Sequence, residues 1–396
     1  MKQKKIMILG ASQLQLPAIT RAIELGYHVI VVDKDIDAVG RNFADEFYAI
    51  STNDIESVVA KAKELHIDGI MTLATDFPMR TVAMVGQELG LLTITPDTAI
   101  VATDKARMRE RLKSCGVPIP AFYTANSFLE YKSACKAIDG KKIVKPADSS
   151  GSRGVYLLTD INEIEKAYKY SKSYSRSGEL VIEEYMKGPE VSVETITINN
   201  ITHVIAITDK QTSGSPYFVE IGHSIQSTLH EDIKEEIKDI AIKAVNALGI
   251  DNGAAHVEVI VTDHGAKVVE LGARLGGDNI TSHLVPLATG VNMVEACIFL
   301  ALGGIPDITP KFNRSSAIKF ISSTNGKIKS IDGVENVKKI KGIIEVCITK
   351  GEGDVVNELT NSSDRIGFII AEADTAKQAM DICEKAVRKI SINLDR

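Results

Sequence analysis

Two glutamates placed opposite each other on a short hairpin have the spacing that most clearly indicates chemistry in this chain. The stretch 255–282, AHVEVIVTDHGAKVVELGARLGGDNITS, predicts two strands joined by a three-residue loop at 263–265 that ends in glycine. Counting pairs outward from that loop places Glu258 directly across from Glu270. Carboxylates about 5 Å apart across a ladder repel each other, so this pairing indicates a bound cation.

The hairpin has one polar face and one apolar face. Because side chains alternate along a strand, His256 and Val268 are predicted on the face of the glutamates and Val269 on the core face. Carboxylate oxygens with few sulfur or imidazole donors nearby suit Mg²⁺, which usually arrives bridging phosphates. Arg274, just past the second strand, adds positive charge at the same place. The alternative at this point is a solvated sheet face with acids placed by chance.

A second informative stretch is IVKPADSSGSRGV, residues 143–155. A strand brings in Lys145, and a loop of small residues, Ser149–Gly154, precedes the next strand. Small residues let backbone N–H groups converge on an anion, and a lysine at a strand end can bind phosphate. The loop is not a Walker A motif, because no G-K-[ST] opens a helix. On its own it fits a flexible hairpin equally well.

Two further segments contain residues suited to a nucleotide. Lys105 lies in the first turn of a polar helix, where a lysine opposes the helix dipole, although most such lysines are simply solvated. The segment 180–190, LVIEEYMKGPE, predicts a buried strand and a tight bend before Glu190. Backbone amides at such a bend can bind a purine edge, and the acid can bind ribose hydroxyls.

Composition bounds the classes of function. The 396 residues carry 46 basic and 52 acidic side chains, so the net charge of −6 does not indicate a nucleic-acid or membrane surface. The N-terminus, MKQKKIMILG, runs directly into a predicted strand without the apolar core of a signal peptide. Five scattered cysteines form no C-x-x-C pair and are typical of a reduced protein. We therefore expect a cytoplasmic protein.

The chain is long enough for two to four domains, and its pattern predicts three. Residues 1–97 alternate strand and helix like a doubly wound, Rossmann-like unit with a buried parallel sheet. Residues 98–310 form a central domain with a mobile lid at about 119–190, and residues 311–396 form a small α+β domain. Together these make a multidomain protein of mixed α/β and α+β class. The first turn reads Gly10-Ala11-Ser12-Gln13 rather than G-x-G-x-x-G, which argues against nicotinamide binding despite Asp33.

Taken in order, these stretches resemble the ATP-grasp superfamily of carboxylate–amine ligases over the whole chain. The resemblance rests on four features in a fixed order. The first two are a lysine before the central domain and a strand lysine with a small-residue loop. The other two are the E-E-Y-M bend with a following glutamate, and two hairpin glutamates with an arginine. The pattern resembles most the L-amino-acid-ligase type, and it is also similar to biotin carboxylase, to the carboxylating enzymes of purine synthesis and to the halves of the carbamoyl-phosphate synthetase large chain. The tail DRIGFIIAEADTAKQAMDICEKA resembles the C-terminal domain of that ligase type.

The resemblance implies a role for each matching residue. The metal ligands would be Glu258 and Glu270, and the catalytic residues would be Arg274 and Lys145. The ATP-binding residues would be Lys105, Lys145, Ser149, Ser150, Gly151, Ser152, Gly154, Glu183, Glu184, Tyr185, Met186 and Glu190. The best candidates for the substrate lining are Lys210, Glu220, His223, His256, Asp278 and Asn279.

The resemblance also implies ATP and Mg²⁺, or Mn²⁺ in its place, as cofactors of an ATP-dependent ligase. Its partners would be a small carboxylate and an amine, without nucleic acid or membrane, and a homodimer is compatible with it. The activity would be amide formation through an acyl phosphate. Two alternatives are ATP- and bicarbonate-dependent N-carboxylation and a nucleotide-sensing protein without turnover. Gly272 stands where many relatives have Asn, so Asn279 or water would have to replace one metal ligand.

Overall fold

Alternate residues of the first strand are buried on opposite sides of a parallel sheet. In the computed structural model, which describes residues 3–395, Met7 and Leu9 pack into one hydrophobic core, whereas Ile6 and Ile8 pack into another. The sheet has the order β3-β2-β1-β4 and parallel pairing throughout. Its elements are β1 (Lys5–Leu9), α1 (Leu16–Glu24), β2 (His28–Val32), a 3₁₀ turn (Val39–Asn42), β3 (Glu46–Tyr48), α2 (Ile55–Leu65), β4 (Gly69–Thr72) and α3 (Pro78–Leu89). The predicted doubly wound unit is confirmed.

The loop after β1 is held by a side chain that follows β2. Asp33, just after β2, accepts a hydrogen bond from the Ala11 backbone N–H at 2.8 Å, and its other oxygen accepts one from the Asp35 N–H at 2.9 Å. Both carboxylate oxygens of Asp33 therefore tie loops together, which is consistent with the absence of a dinucleotide fingerprint.

Two helices lead from this unit into a separate four-stranded sheet, which we call the lid sheet. Within the described residues, its strands pair only with one another, in the order β5-β8-β6-β7. Two helices pack on it around a core that contains Tyr131 and Ile182. The elements are α4 (Pro96–Ala102), α5 (Lys105–Ser114), β5 (Phe122–Ala125), α6 (Phe128–Ala137), β6 (Lys142–Pro146), β7 (Tyr156–Leu158), a 3₁₀ turn (Ile161–Glu163), α7 (Ile164–Ser173) and β8 (Leu180–Glu184).

The largest sheet has eight antiparallel strands and joins the central and C-terminal parts of the chain. Its order is β13-β12-β9-β10-β11-β14-β18-β16. The central elements are β9 (Glu190–Ile198), β10 (Ile201–Thr212), β11 (Glu220–Ile225), α8 (Glu231–Leu248), β12 (Gly253–Thr262), β13 (Gly265–Gly272), a π-helical turn (Ile280–Leu284), α9 (Val285–Thr289) and α10 (Met293–Ala301).

The C-terminal part adds three strands to that sheet and a small sheet of its own. Its elements are β14 (Ser315–Ile321), β15 (Gly326–Asp332), α11 (Val334–Val337), β16 (Ile343–Ile348), β17 (Val355–Val356), a 3₁₀ turn (Ser362–Asp364), β18 (Gly367–Ala373), α12 (Ala376–Val387) and β19 (Ser391–Asp395). Because β14 pairs with β11, a boundary at residue 310 divides one continuous sheet. The division at 98–310 and 311–396 therefore stays a proposal, while the α/β and α+β architecture is confirmed.

The hairpin of β12 and β13 differs from the prediction in its loop. Thr262 pairs with Gly265, so the loop has two residues rather than three. A bulge then places one extra residue, Val269, between the pair Val259–Val268 and the pair Glu258–Glu270. The predicted pairing of the glutamates is thereby confirmed. The predicted faces of two valines are wrong, because Val268 is fully buried in the core and Val269 lines a cavity.

No single helix in residues 3–395 is long and apolar enough to span a membrane, while one helix pair bent by 116°, Ile280–Thr289 with Met293–Ala301, passes the length and composition test jointly.

Candidate active site

One cavity of about 880 Å³ lies where the N-terminal unit, the lid sheet and the eight-stranded sheet meet. The loop after β4 contributes to its wall, and so do the loop after β6 and the polar face of the hairpin. Every site residue named from the sequence lines this cavity except Gly154 and Asn279. Gly154 is instead a packing position, since a Cβ there would lie 2.8 Å from Pro146 and from Tyr174.

The paired glutamates each contact a lysine. Glu258 lies 3.0 Å from the Lys210 ammonium, and Glu270 lies 3.0 Å from that of Lys105. No cluster of three or more acidic, His or Cys side chains forms a ready metal cage in the part of the chain that the structure describes. Mg²⁺ commonly binds through one or two carboxylates together with nucleotide phosphates. The donor set therefore fits Mg²⁺ that arrives with a nucleotide.

A buried arginine, Arg109, supports the bulge that aligns the glutamates. Its side chain is only 1% exposed and donates to the backbone carbonyls of Val268, at 3.2 Å, and Val269. Its Nε donates to Glu183 at 2.6 Å. A bulge leaves backbone groups without strand partners, and a guanidinium with several donors can satisfy them. Arg109 thus links the hairpin to the lid sheet.

Glu183 in turn holds Lys145. Its second oxygen lies 2.8 Å from the Lys145 ammonium, so one carboxylate bridges two buried cations. Burial raises the pKa of Glu183, but the attraction of Arg109 and Lys145 outweighs burial and lowers the pKa to about 2. Burial lowers the pKa of Lys145 more than Glu183 raises it. The side chain of Glu183 therefore positions a lysine that lines the cavity.

Lys105 is placed by the start of α5. Asp104 caps that helix by accepting from the Arg107 N–H at 3.1 Å, which fixes the first turn. The Lys105 ammonium donates to the Ser149 carbonyl at 2.5 Å and contacts Glu270. One lysine thus connects the small-residue loop to the hairpin.

The small-residue loop uses left-handed backbone conformations. Gly151 has φ +65° and Ser152 has φ +58°, and a Cβ added to Gly151 would meet the hydroxyl of Ser362 at 3.1 Å. The base of the loop is fixed by Asp148, which accepts hydrogen bonds from the N–H groups of Arg176 and Ser177. The loop is therefore anchored at one end and lies against the C-terminal part of the chain.

The bend after β8 connects the lid sheet to the eight-stranded sheet. The Glu184 side chain pairs with Lys267, and the Tyr185 N–H donates to the Lys141 carbonyl at 3.1 Å. At Gly188, a Cβ would lie 1.8 Å from the Val261 carbonyl oxygen, so only glycine fits. This close contact holds the bend against the hairpin.

Lys210 is shared by three carboxylates. Its ammonium is 2.6 Å from Glu190, 3.0 Å from Glu258 and 3.8 Å from Glu220. Although burial lowers the pKa of Lys210, these neighbours raise it well above its usual value. The Lys210 ammonium therefore connects three carboxylates with different expected roles: ribose binding, metal binding and substrate binding.

His256 contacts two glutamates behind the hairpin face. Its Nδ1 lies 2.7 Å from Glu194, and its Nε2 lies 3.3 Å from Glu258. Burial lowers the pKa of His256, but the two carboxylates raise it to about 9. A Cβ on Gly276 would lie 2.7 Å from Glu194, so glycine leaves the room for this pair. His256 therefore supports Glu258 as a cation at neutral pH.

Arg274 is held by the N-terminal unit. Its Nε donates to Asp76 at 2.8 Å, and Asp76 follows β4 at the cavity wall. A Cβ on Gly272 would lie 3.0 Å from the same carboxylate oxygen. Asp76 thus occupies the space beside Gly272, and Asn279, expected as a possible replacement metal ligand, does not line the cavity.

A second cluster in the cavity wall consists of His223, Asp278 and Glu220. His223 Nε2 lies 3.1 Å from Asp278. The Asp278 carboxylate also accepts a hydrogen bond from Arg365, in the C-terminal part of the chain. Burial raises the pKa of Asp278, but Arg365 and His223 outweigh burial. They lower the pKa of Asp278 below its usual value and keep the carboxylate ionised. Burial, together with Asp278 and Glu258, raises the pKa of Glu220.

Sequence reasoning missed four supporting residues. Asp76 had a usable signal, since it follows a parallel strand at the edge of the sheet where ligands bind in such folds. Arg109, Glu194 and Arg365 had none, because each acts through a residue at least 62 positions away.

We expect the small-residue loop to become ordered when nucleotide binds. Trypsin should cut the free protein near Arg153, which is exposed, and Mg²⁺ with a non-hydrolysable ATP analogue should slow that cut. A protease needs an extended, mobile segment, and a closed loop removes it. Mass spectrometry of timed digests measures this rate.

Arg388 provides the internal control, because its side chain is 78% exposed and does not line the cavity. Its cleavage should not change with nucleotide. Equal rates at Arg153 with and without nucleotide would show that this loop is not a lid.

Known proteins resemble this chain in sequence and in fold. A family model described as "ATP-grasp domain" matches residues 138–282, and one described as "L-amino acid ligase C-terminal domain 2" matches residues 319–395. The L-arginine-specific L-amino acid ligase of Bacillus subtilis is 24% identical over 273 residues, which cover 67% of this chain and 66% of that protein.

Two solved structures show the same fold over nearly the whole chain. The L-amino acid ligase from Bacillus licheniformis superposes with a TM-score of 0.88, at 22% identity and with all of both chains covered. The biotin carboxylase domain of the Hydrogenobacter thermophilus 2-oxoglutarate carboxylase, in complex with MgADP and bicarbonate, superposes with a TM-score of 0.79 at 20% identity, covering 99% of this chain and 91% of that one. The chain therefore contains an ATP-grasp domain at residues 138–282 and an L-amino acid ligase C-terminal domain at residues 319–395.

Proposed function

We propose that this protein is an ATP-dependent ligase that joins a carboxylate to an amine through an acyl phosphate, releasing ADP and phosphate. The observation that carries the proposal is that two sets of charged groups line one cavity. One set is Lys105, Lys145 and the glutamate pair, and the other is Glu220, His223 and Asp278. The first set suits a metal-bound triphosphate, and the second suits a small charged substrate.

The nucleotide would lie between the lid sheet and the hairpin. The backbone of the bend Glu184–Met186 would bind the purine edge, and Glu190 would bind the ribose hydroxyls; all of these residues line the cavity. The backbone N–H groups of Ser149–Ser152 would surround the phosphates when the loop closes. Closure excludes water from the reactive intermediate.

The first chemical step needs charge neutralisation more than it needs acid or base. A carboxylate oxygen of the substrate attacks the γ-phosphorus, the bond from that phosphorus to the β-phosphate oxygen breaks, and ADP leaves. Lys105 and Lys145 offset the negative charge that spreads over the phosphate oxygens. When bound by Glu258 and Glu270, Mg²⁺ would supply further charge neutralisation there.

The second step forms the amide. The amine nitrogen attacks the acyl carbon, phosphate leaves with the electron pair of the broken C–O bond, and the proton that the nitrogen gives up passes to the departing phosphate. Arg274, fixed by Asp76, would hold the acyl phosphate oxygens. The carboxylates of Glu220 and Asp278 would bind the ammonium group of an amino-acid substrate.

The requirement for two substrates tests this proposal. ADP release should need both an acid and an amine, and it should proceed unchanged in bicarbonate-free buffer. Pairwise mixtures of amino acids and small carboxylates, with ADP release followed by a coupled assay, measure this. The amide product is then identified by mass spectrometry.

Two outcomes would contradict the proposal. Activity that disappears without bicarbonate would indicate an N-carboxylating enzyme, the alternative suggested by the similarity to biotin carboxylase. Tight ATP binding without ADP release under any mixture would indicate a nucleotide-sensing protein.

A further inference from the structure

One arginine from the C-terminal part of the chain contacts the cluster of Glu220 and Asp278 in the cavity wall. Arg365 lies between the 3₁₀ turn and β18 and is separated in sequence from its partners by 87 and 145 residues. Its Nη1 and Nη2 contact the two oxygens of Asp278 at 2.8 and 3.1 Å. Its Nη2 also lies 3.3 Å from Glu220 Oε2, and its Nε donates to the Glu220 backbone carbonyl at 3.1 Å.

The guanidinium is fixed on every side. All three nitrogens have acceptors, the side chain is 9% exposed, and the guanidinium carbon lies 3.7 Å from the ring centroid of Phe320. A planar guanidinium that is both bidentate and stacked has one preferred orientation. Arg365 can therefore hold the two carboxylates at a defined separation.

The backbone before Arg365 is fixed as well. The buried Asp364 accepts hydrogen bonds from the N–H groups of Thr360 and Asn361 at 2.9 and 3.0 Å. Asn361 in turn caps the 3₁₀ turn in a reciprocal capping box. The arginine thus extends from an anchored loop rather than from a free segment.

Asp278 depends on this contact. Its backbone has φ +53°, a left-handed conformation that costs energy for a residue other than glycine. Its side chain is held by Arg365 on one side and by His223 on the other. His223 is itself buried, and its second nitrogen, Nδ1, has no hydrogen-bond partner among the described residues.

Asp278, Glu220 and His223 line the cavity, whereas Arg365 does not. Arg365 therefore acts on a substrate through the carboxylates that it holds. Without it, two acids would face each other without their shared counter-ion, and like charges would move apart or take up protons.

We infer that Arg365 is a positioning residue for substrate selection, which holds Asp278 and Glu220 so that they bind the ammonium group of an amino-acid substrate. This inference rests on the proposed function, because it places the amino-acid substrate beside these carboxylates. It also gives the C-terminal part of the chain an indirect role in specificity.

The test uses binding rather than turnover. Amino acids are titrated by calorimetry into the full-length protein saturated with Mg²⁺ and a non-hydrolysable ATP analogue. In Arg365→Met, the Kd of the amino acid that wild type binds best should rise about tenfold or more, the effect of losing charge-assisted contacts. The Kd of the ATP analogue should stay within about twofold of wild type, since such a change is only about 0.4 kcal/mol.

Several comparisons separate positioning from a general structural defect. The same substrate without its amino group should bind Arg365→Met and wild type equally. Asp278→Asn should lose at least as much affinity, because it removes a carboxylate that binds the ammonium. The losses of Arg365→Met and Asp278→Asn should be less than additive in the double variant, because Asp278 acts from the position that Arg365 gives it. Arg314→Met removes an exposed ion pair with Glu372 in the same domain and should have no effect.

Each possible outcome of these titrations either supports or overturns the role of Arg365. Equal losses for the ATP analogue and the amino acid, or no loss at all, would overturn the inference, as would a wild type that binds no amino acid. If Arg365→Met does not fold, Arg365→Lys and Asp278→Asn decide in its place. A wild type that binds an amino acid but never releases ADP would refute the proposed ligase activity and leave the role of Arg365 to the binding data.

Discussion

Replacing Glu270 with glutamine should abolish Mg²⁺-dependent ADP formation while leaving the fold intact. The change keeps the shape of the side chain but removes one of the two carboxylates that face each other across the hairpin. If the metal supplies several kcal/mol of charge stabilisation, its loss reduces kcat by about a thousandfold. A coupled assay for ADP across a range of Mg²⁺ concentrations measures the effect.

Glu235→Gln is the matched control for Glu270→Gln. Glu235 lies on an exposed face of α8 and pairs with Lys238, so its substitution should leave activity unchanged. The melting temperature of both variants should stay near that of wild type. Wild-type turnover in Glu270→Gln would refute the assignment of the metal site.

Replacing Lys145 with methionine should weaken binding of ATP much more than binding of AMP or adenosine. The ammonium lines the cavity beside Glu183, and the variant keeps the volume of the side chain while losing its charge. A charged hydrogen bond contributes about 1.5–3 kcal/mol, which corresponds to a roughly ten- to hundredfold rise in the Kd of ATP. Calorimetric titration with the three ligands measures the difference.

Lys142→Met tests the same strand without the buried contact. The Lys142 ammonium donates to the Gly140 carbonyl, outside the cavity. ATP affinity should not change in that variant. Equal losses for ATP and adenosine in Lys145→Met would make Lys145 a structural residue.

The hairpin shows how far local patterning can lead. Alternation and glycine position predicted two strands with Glu258 across from Glu270, and the structure agrees. The prediction reached the right pair through a loop that was one residue too long. The bulge at Val269 compensates for that difference, and it depends on Arg109, which donates to two carbonyls 159 and 160 residues away.

The residues that support the cavity could not be read from neighbouring sequence. Arg109, Glu194 and Arg365 are ordinary charged side chains in their own segments, and their roles arise only where distant elements meet. A buried charge is stable only when it is paired with an opposite charge or hydrogen-bonded. When that partner is far away in the sequence, the local pattern of residues does not reveal the pair. Most of the candidate residues that line the cavity occur in short motifs, so sequence patterns could predict them.

The separation of the lid sheet from the eight-stranded sheet has a mechanical consequence. In residues 3–395, the two sheets share no ladder, so rotating one against the other breaks no strand pairing. The bend at 185–189 is the short tether between them, and Gly188 sits tightly against Val261 as its fixed pivot. A rotation of the lid sheet would therefore be taken up by loops such as this five-residue bend rather than by the strands that carry the glutamates.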